Sequence, residues 1–269
     1  MKHRWRPSPT LRLSLAAHVA AGLGALAAPS LWPLALGAVA ANQALLIGAG
    51  MLPRNSLLGP NVTRLPAQAA ARGEIALTID DGPFPEITPR VLDLLDAAGA
   101  RASFFCIGEK ARQHPALTRE IVTRGHAVEN HSMHHLYHFA ALGYARMRRE
   151  VADGQACLAD ITGRAPAFFR PTAGLRNPFL DPILAALGLH LATWTRRGFD
   201  TRTGDPSRVL ARLAGPLAGG DILLLHDDNA ALTPAGIPVI LDVLPRLLAV
   251  ARERRLATVT LASVIPPRS

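Results

Sequence analysis

Short apolar runs alternate with amphipathic stretches from Glu74 almost to the end of the chain. Each run is four to seven residues long, as a buried strand would be, and the runs cover 74–79, 101–107, 127–130, 167–170, 189–193, 221–225 and 257–261. Helix signals lie between most of them, such as the start at Thr88-Pro89 and the stop at Gly99. Alternating strands and helices predict a parallel sheet. Seven strands with polar residues at their carboxyl ends predict a barrel-like closure rather than an open sheet.

The N-terminal part of the chain has a different pattern. No charged residue occurs between Arg12 and Arg54, and Ala, Leu and Gly dominate the stretch. A membrane-spanning helix needs about 20 mostly apolar residues, so two fit here, at 11–28 and 34–52, with a proline-bounded turn between them. We therefore expect an N-terminal membrane segment over 1–52, followed by a connector over 53–73. A secretory signal peptide, cleaved near 25–27, is the alternative.

Charge and cysteine content narrow the function classes. The chain of 269 residues has a formal net charge of +9, almost all from arginines that are spread along it, and few aromatic residues. This pattern excludes a nucleic-acid groove and suits anionic head groups or a phosphate-bearing substrate. Nothing in the sequence indicates an obligate protein partner. Cys106 and Cys157 are far apart in apolar surroundings, which predicts two free thiols.

Two polar runs carry the candidate chemistry. The strand at 74–79 ends in Asp80 and Asp81 before a Gly-Pro break, so both carboxylates can face one site. Fifty residues later, His131 and His135 stand at i and i+4, which places them on one face if the segment forms a helical turn. One carboxylate with two imidazoles is a metal-ligand set, and the second carboxylate is free to act as a base.

Other interpretations of these residues are open at this point. The two aspartates are also common turn formers, and His134 at i+3 is an alternative ligand to His135. Two histidines with one carboxylate also suit a non-haem iron oxygenase. The second carboxylate and a remote strand-end His226 favour hydrolysis.

Five ordered motifs from Glu74 to Leu261 resemble the polysaccharide deacetylase family, the NodB-homology domain of carbohydrate esterase family 4. The motifs are Thr78-Ile79-Asp80-Asp81-Gly82-Pro83, His131-Ser132 with His135, Arg170-Pro171-Thr172-Ala173-Gly174, Trp194 with Asp200, and Leu223-Leu224-Leu225-His226. The resemblance implies a distorted (β/α)7 barrel over 74–262. It also implies a hydrolase that removes an N-acetyl or related N-acyl group from a sugar.

The resemblance assigns roles residue by residue. Asp81, His131 and His135 would hold one divalent metal ion, zinc first, with cobalt, nickel or manganese as alternatives. Asp80 would be the general base, paired with Arg170, and His226 the general acid, oriented by Asp200. The Ala173 N–H would stabilise the oxyanion, and Leu224 is a candidate contact for the acetyl methyl group.

The chain departs from the family pattern at the groove walls. Arg197 and Thr201 stand where the fourth motif usually has Asp and Trp, and Thr172 and Ala173 replace a proline and an aromatic residue. Fewer aromatic walls weaken the case for a long polysaccharide, while arginines beside the site favour a phosphate-bearing ligand. We therefore expect a membrane-tethered deacetylase of an N-acetylated, lipid-linked glycan. The alternatives are an exported peptidoglycan or polysaccharide deacetylase and a non-catalytic carbohydrate-binding membrane protein.

The distribution of charges around the apolar segments predicts the topology. Lys2, Arg4, Arg6 and Arg12 precede them and Arg54 and Arg64 follow, while the turn between them carries none. By the positive-inside rule both flanks are cytoplasmic. The prediction is a hairpin in a bacterial-type plasma membrane with the catalytic domain on the cytoplasmic face. A single crossing or a cleaved signal would instead export the domain.

Overall fold

The computed structural model describes residues 5–268, so Lys2 and Arg4 of the topology prediction lie outside the described residues. The strands are β1 Glu74–Asp80, β2 Ser103–Cys106, β3 Ala127–Asn130, β4 Phe168–Phe169, β5 His190–Leu191, β6 Arg196–Arg197, β7 Ile222–His226 and β8 Ala257–Val259. The helices are α1 Pro9–Ala27, α2 Trp32–Met51, α3 Ala67–Ala71, α4 Thr88–Ala97, α5 Gly108–Gln113, α6 Pro115–Thr123, α7 Tyr144–Thr162, α8 Leu180–Leu187, α9 Pro206–Ala214, α10 Val239–Glu253 and α11 Leu261–Val264.

All eight strands belong to one sheet in which every strand pairing is parallel. The order is β5-β4-β3-β2-β1-β7-β6, and β8 pairs with the first residues of β1. The central β1 is buried from Ile75 to Asp80, which explains its continuous apolar run. Helices cover the outside of this curved sheet, with the largest apolar core between β1, β2, β7 and the helices α4, α9 and α10. The predicted parallel, barrel-type α/β fold is confirmed.

Strand β6 was not predicted from the hydrophobic pattern. Arg196 and Arg197 look like surface positions in the sequence, yet their backbone pairs with Leu223 and Leu224 of β7. The Thr195 N–H donates to Ile222 and continues the ladder. This strand is defined by its backbone pairing alone. Because its two side chains are arginines, the hydrophobic pattern of the sequence does not indicate it.

The predicted connector, 53–73, packs against the sheet. Val62 pairs with Ala192 beyond the end of β5, and Arg64 pairs with Asp221 at the start of β7. The segment therefore connects the two ends of the sheet, the edge at β5 and the side formed by β7 and β6. Its own residues Leu65 and Ala69 are buried in the core.

Helices α1 and α2 form an antiparallel pair joined by the short turn Pro29–Leu31, and both are long and apolar enough to cross a membrane. Most of their large apolar side chains are exposed, which excludes the interpretation of core helices in a soluble domain. Polar side chains meet between them: Asn42 donates to Ser14 Oγ at 2.8 Å, and His18 lies 3.1 Å from Gln43. Such bonds between helices are typical of membrane pairs, and they give His18 a partner.

The end of α2 is in contact with the α/β part of the chain. The Arg176 N–H donates to the Gly50 carbonyl at 3.1 Å, and a Cβ on Gly50 would lie 2.1 Å from the Arg176 oxygen. Near the start of α1, Trp5 donates to Asp181 of α8, and Ser8 donates to the Leu57 carbonyl of the connector. The helix pair is thus fastened to the domain at one end.

Candidate active site

Strand β1 delivers two adjacent carboxylates to the carboxyl edge of the sheet. Asp80 is its last residue, and Asp81 follows in a left-handed conformation, φ 79°. Both side chains are buried. Gly82 is required next, because a Cβ there would lie 2.4 Å from the carboxylate of Asp227. The turn thus places both aspartates at one site, as the strand-ending argument predicts.

Asp81, His131 and His135 offer ligand atoms that all lie within 4.8 Å of one another. The Nε2 atoms of both histidines are 3.3 Å from Asp81 Oδ1. His131 Nδ1 is 2.7 Å from the Arg170 carbonyl, so Nδ1 carries the proton and the Nε2 lone pair faces the cluster. This set of one carboxylate and two imidazoles fits a zinc-type divalent ion by its donor chemistry.

Electrostatics favour the ligand forms of these groups. Burial lowers the pKa of His135 to about 4, so its imidazole is neutral at physiological pH. Burial tends to raise the pKa of Asp81, but the neighbouring imidazoles, His131 first, lower that pKa well below its usual range. Asn229 also donates to the second oxygen of Asp81, at 3.3 Å.

The helical turn predicted for the histidine motif is wrong. Residues 131–135 form a loop in which Ser132 and His135 have positive φ angles, 67° and 50°. Ser132 Oγ accepts the His135 N–H at 3.0 Å, and Asn130 Oδ1 accepts the Ser132 N–H at 2.9 Å. His134 turns away from the cluster and lies 2.8 Å from Glu150, so the alternative that it ligates in place of His135 is not supported.

Arg170 forms a buried ion pair with Asp80. Its guanidinium is fully buried, stacks over the Phe105 ring at 3.9 Å, and donates to Asp80 Oδ1. It also donates to Thr78 Oγ1 at 2.9 Å and to the Thr193 carbonyl at 2.8 Å. The other Asp80 oxygen lies 3.9 Å from His131 Nε2. One carboxylate oxygen is therefore fixed and the other stands beside the ligand set.

His226, the last residue of β7, is paired with Asp200. Its Nδ1 is 2.9 Å from Asp200 Oδ1, and Asp200 Oδ2 accepts its backbone N–H at 2.8 Å. Burial tends to lower the pKa of His226, but the Asp200 carboxylate outweighs it and raises the pKa to about 9. The imidazole is therefore protonated at neutral pH, as a general acid must be.

These residues surround a cavity of about 320 Å³. Its lining includes the predicted Asp80, Asp81, His131, His135, Ala173, Leu224 and His226, together with Tyr137, Thr172, Gly174, Trp194, Arg197, Thr201 and Asn229. Arg170 and Asp200 lie behind the wall as partners of lining residues. A larger cavity of about 510 Å³ between α4 and α10 has only Arg252 and Arg255 as titratable residues, so it lacks comparable chemistry.

Backbone strain is concentrated around the smaller cavity. Seven non-glycine residues of the described chain have positive φ angles, and six of them, Asp81, Ser132, His135, Ala173, Phe199 and Asn229, line it or lie beside it. Such conformations persist only where the surrounding structure enforces them, and they mark functional sites. At Ala173, φ 56°, the backbone N–H has no acceptor within the described residues. It is therefore free to bind a ligand oxygen.

Sequence reasoning missed Asn229 and Tyr137 as lining residues. Asn229 comes three residues after the strand-end His226, so the polar run that follows β7 was a usable signal. Tyr137 is 89% exposed and packs edge-on against His135 at 6.0 Å. No feature of the sequence singles it out.

Comparison with known proteins extends these observations. Residues 67–192 match the model of the polysaccharide deacetylase family. The chain is 31% identical over 176 residues to a peptidoglycan-N-acetylglucosamine deacetylase of Bacillus cereus, covering 64% of this chain and 82% of the relative. It is 30% identical over 166 residues to a chitooligosaccharide deacetylase of Azorhizobium caulinodans, covering 60% and 79%. A crystal structure of a peptidoglycan N-acetylglucosamine deacetylase superimposes with TM-score 0.68 at 25% identity, over 76% of this chain and 92% of that one.

Proposed function

Because the chain belongs to the polysaccharide deacetylase family, we propose that it is a metal-dependent hydrolase that removes an N-acetyl group from a sugar of a lipid-linked, membrane-associated glycan. One observation carries the proposal: a base, a three-residue ligand set and a protonated acid all line the cavity of about 320 Å³. A binding module has no need of the three together. The non-catalytic alternative and the oxygenase alternative therefore explain less of the site.

Asp81, His131 and His135 would hold the metal, with zinc as the proposed ion. When bound, a divalent ion of this type lowers the pKa of water and polarises the amide oxygen of the substrate. The chain's own contribution is to fix the ligands. The Arg170 carbonyl holds the His131 ring, and Asn229 holds the Asp81 carboxylate.

Asp80 accepts the proton of the attacking water at its free carboxylate oxygen. The bond from Arg170 to the other oxygen keeps the carboxylate in place and provides the counter-charge that a buried anion needs. Arg170 also donates to the backbone carbonyls of Ala192 and Thr193, and these bonds keep its guanidinium fixed beside Asp80.

His226 donates its proton to the nitrogen that leaves, since an amine anion cannot depart at neutral pH. Asp200 keeps the ring oriented and charged. The Ala173 N–H faces the negative charge that develops on the amide oxygen. Leu224, in the cavity wall, contacts the acetyl methyl group.

The domain division and the location belong to the same proposal. Residues 1–52 form a membrane hairpin, 53–73 the connector and 74–262 the catalytic domain, which lies on the cytoplasmic face of the plasma membrane. Support comes from the two exposed apolar helices and from the arginines that flank them. The second candidate function is an exported deacetylase of peptidoglycan or another wall polysaccharide, which the names of the curated relatives favour.

Acetate release tests the proposal. Purified, detergent-solubilised full-length protein is incubated with a lipid-linked N-acetylated sugar, a chitooligosaccharide and peptidoglycan fragments, with and without a chelator. We expect chelator-sensitive release, fastest from the lipid-linked sugar. Preference for peptidoglycan fragments would select the second candidate, and no release from any substrate would refute the proposed activity.

A further inference from the structure

A second cavity, of about 520 Å³, adjoins the candidate active site. Trp194 and Arg197 belong to the walls of both cavities, so the two spaces are neighbours across these side chains. Arg54, Arg196 and Arg212 add three more arginines to the second cavity, and Phe199 supplies an aromatic wall. No carboxylate lines it.

The three arginines Arg54, Arg197 and Arg212 lack an ion-pair partner within residues 5–268. Arg54 donates to the Thr195 carbonyl at 2.9 Å and Arg212 to the Gly198 carbonyl at 3.3 Å, so each retains further donors. Arg196 is different, because its Nε is 2.7 Å from Asp221. The cavity therefore concentrates positive charge that the protein itself does not neutralise.

The guanidinium of Arg197 is positioned by two aromatic rings. Its guanidinium lies between two aromatic rings, 5.4 Å from the Trp194 centroid and 5.2 Å from that of Phe199. Its Nε is buried and has no hydrogen-bond partner among the described residues, so the protein supplies no acceptor to this nitrogen. Arg212 lies over the same Phe199 ring at 5.2 Å, so two like charges share one ring. An anion between them would relieve their repulsion.

The position of the cavity narrows the source of that anion. Pro53 and Arg54 follow Leu52, the C-cap residue of α2, so the wall of the cavity begins where the apolar helix pair ends. In the proposed topology this is the level of the lipid head groups. An anion carried there on an apolar chain would meet the arginines first and the active-site cavity next.

We infer that the second cavity, lined by Arg54, Arg197 and Arg212, binds the phosphate or diphosphate of a lipid-linked sugar while its N-acetyl group enters the neighbouring active-site cavity. The inference rests on the proposed function and specifies its substrate class. Arginine forks recognise phosphate oxygens in pairs, and three of them together attract the negative charge of a phosphate or diphosphate ester. Free inorganic phosphate has the same chemistry, so the test distinguishes the two sources.

Binding is measured first, because it needs no turnover. Full-length protein in detergent is titrated with farnesyl phosphate, with farnesol and with inorganic phosphate. We expect farnesyl phosphate to bind at least about tenfold more tightly than farnesol, and Arg197→Gln or Arg54→Gln/Arg212→Gln to remove most of that difference. Arg208→Gln, on the same helix as Arg212 but paired with Asp205, is the matched control and should bind as the native protein does. Arg197→Lys keeps the charge and should retain part of the affinity.

Equal binding of farnesyl phosphate and farnesol, or unchanged binding in the Arg197→Gln and Arg54→Gln/Arg212→Gln proteins, would overturn the inference. Inorganic phosphate that binds as tightly as farnesyl phosphate would overturn the lipid-linked assignment in favour of a free-phosphate site. Kinetics separate this inference from the proposed activity. Arg54→Gln/Arg212→Gln, which changes no residue of the active-site cavity, should raise KM about tenfold for a diphosphate-linked N-acetyl sugar while KM for a chitooligosaccharide changes less than about twofold. Arginine-dependent phosphate binding without any acetate release would refute the activity and leave the phosphate site intact.

Discussion

Asp80 and His226 are register partners at the carboxyl ends of neighbouring parallel strands, β1 and β7. Register partners present their side chains on the same face of a sheet, so the proposed base and the proposed acid are both placed by the sheet itself. The proposed ligands differ, because Asp81, His131 and His135 lie in loops after the strands. Proton transfer and metal binding are therefore built on separate parts of the fold and can be separated by mutation.

Substitution of the two aspartates should separate these functions. Asp80→Asn removes the base but leaves the ligand set, so metal content should stay near one ion per chain while kcat falls about 10²- to 10⁴-fold. Asp81→Asn should lose both metal and activity. Metal by mass spectrometry and acetate release are measured on the same samples, with the exposed Asp93→Asn as control. Normal turnover in Asp80→Asn would contradict the base assignment.

The histidine motif offers an internal control for metal binding. His131→Ala and His135→Ala should each lose most of the bound ion, because each removes one of three protein ligands. His134→Ala should retain it, since that ring faces Glu150 instead. Metal content after dialysis against a weak chelator gives the measurement. A full complement of metal in the His131→Ala/His135→Ala protein, or a loss confined to His134→Ala, would refute the proposed set.

The pH profile should report the acid. The pKa of His226 is raised to about 9 by Asp200, so the group is protonated below that value and loses its proton as pH rises through it. We expect kcat/KM to fall on the alkaline side near pH 9, and the fall to move to lower pH in Asp200→Asn. The link to stability has the same sign: the stabilisation from this pair is complete below the ordinary pKa of 6.5 and is lost as pH rises through about 9.

The control for this profile is Asp242→Asn, which removes an exposed carboxylate paired with Arg246 on the outer helix α10. It should leave the alkaline limb in place. A limb that is the same in Asp200→Asn and in the native protein would assign the titration to another group.

Reporter fusions after Ser269 test the hairpin. Two crossings return the chain to the side on which it starts, so the positive-inside rule predicts a bright fluorescent-protein fusion and an inactive alkaline phosphatase fusion. Replacing Arg54 and Arg64 with Gln should weaken the bias, while Arg246→Gln, far along the catalytic domain, should leave it unchanged. The reverse pattern, an active phosphatase with a dark fluorescent protein, would place the domain outside and favour a wall polysaccharide as substrate.

Local sequence signals predicted the sheet and its carboxyl edge well, because alternating apolar runs and Gly or Pro punctuation reflect burial directly. The two free thiols were also predicted correctly. The convergence of His131 and His135 was anticipated for the wrong reason. It depends on left-handed backbone at Ser132 and His135, a conformation that the i and i+4 spacing does not indicate. A local bond from the Ser132 N–H to Asn130 Oδ1 and a tertiary bond from the Met133 N–H to the Glu150 carbonyl hold the loop in this form.

Strand β6 and the second cavity could not be predicted from the local sequence pattern for a related reason. Arg196 and Arg197 form a strand through backbone pairing with β7 alone, and their side chains then diverge, one to Asp221 and one to the ring of Trp194. Which of the two adjacent arginines is neutralised depends on Asp221, 25 positions away from Arg196. The sequence placed arginines beside the site but could not show which was free.

The contact between the end of α2 and the domain limits how far from the membrane a substrate can lie. Gly50 touches Arg176, and a Cβ on Gly174, one residue beyond Ala173, would lie 2.8 Å from Pro53. With the hairpin in a bilayer, these contacts hold the mouth of the active site at a constant height close to the lipid surface. The enzyme would then scan the membrane in two dimensions for sugars close to their lipid carrier. A polymer several sugars away would lie out of range, however well its acetyl groups matched the cavity.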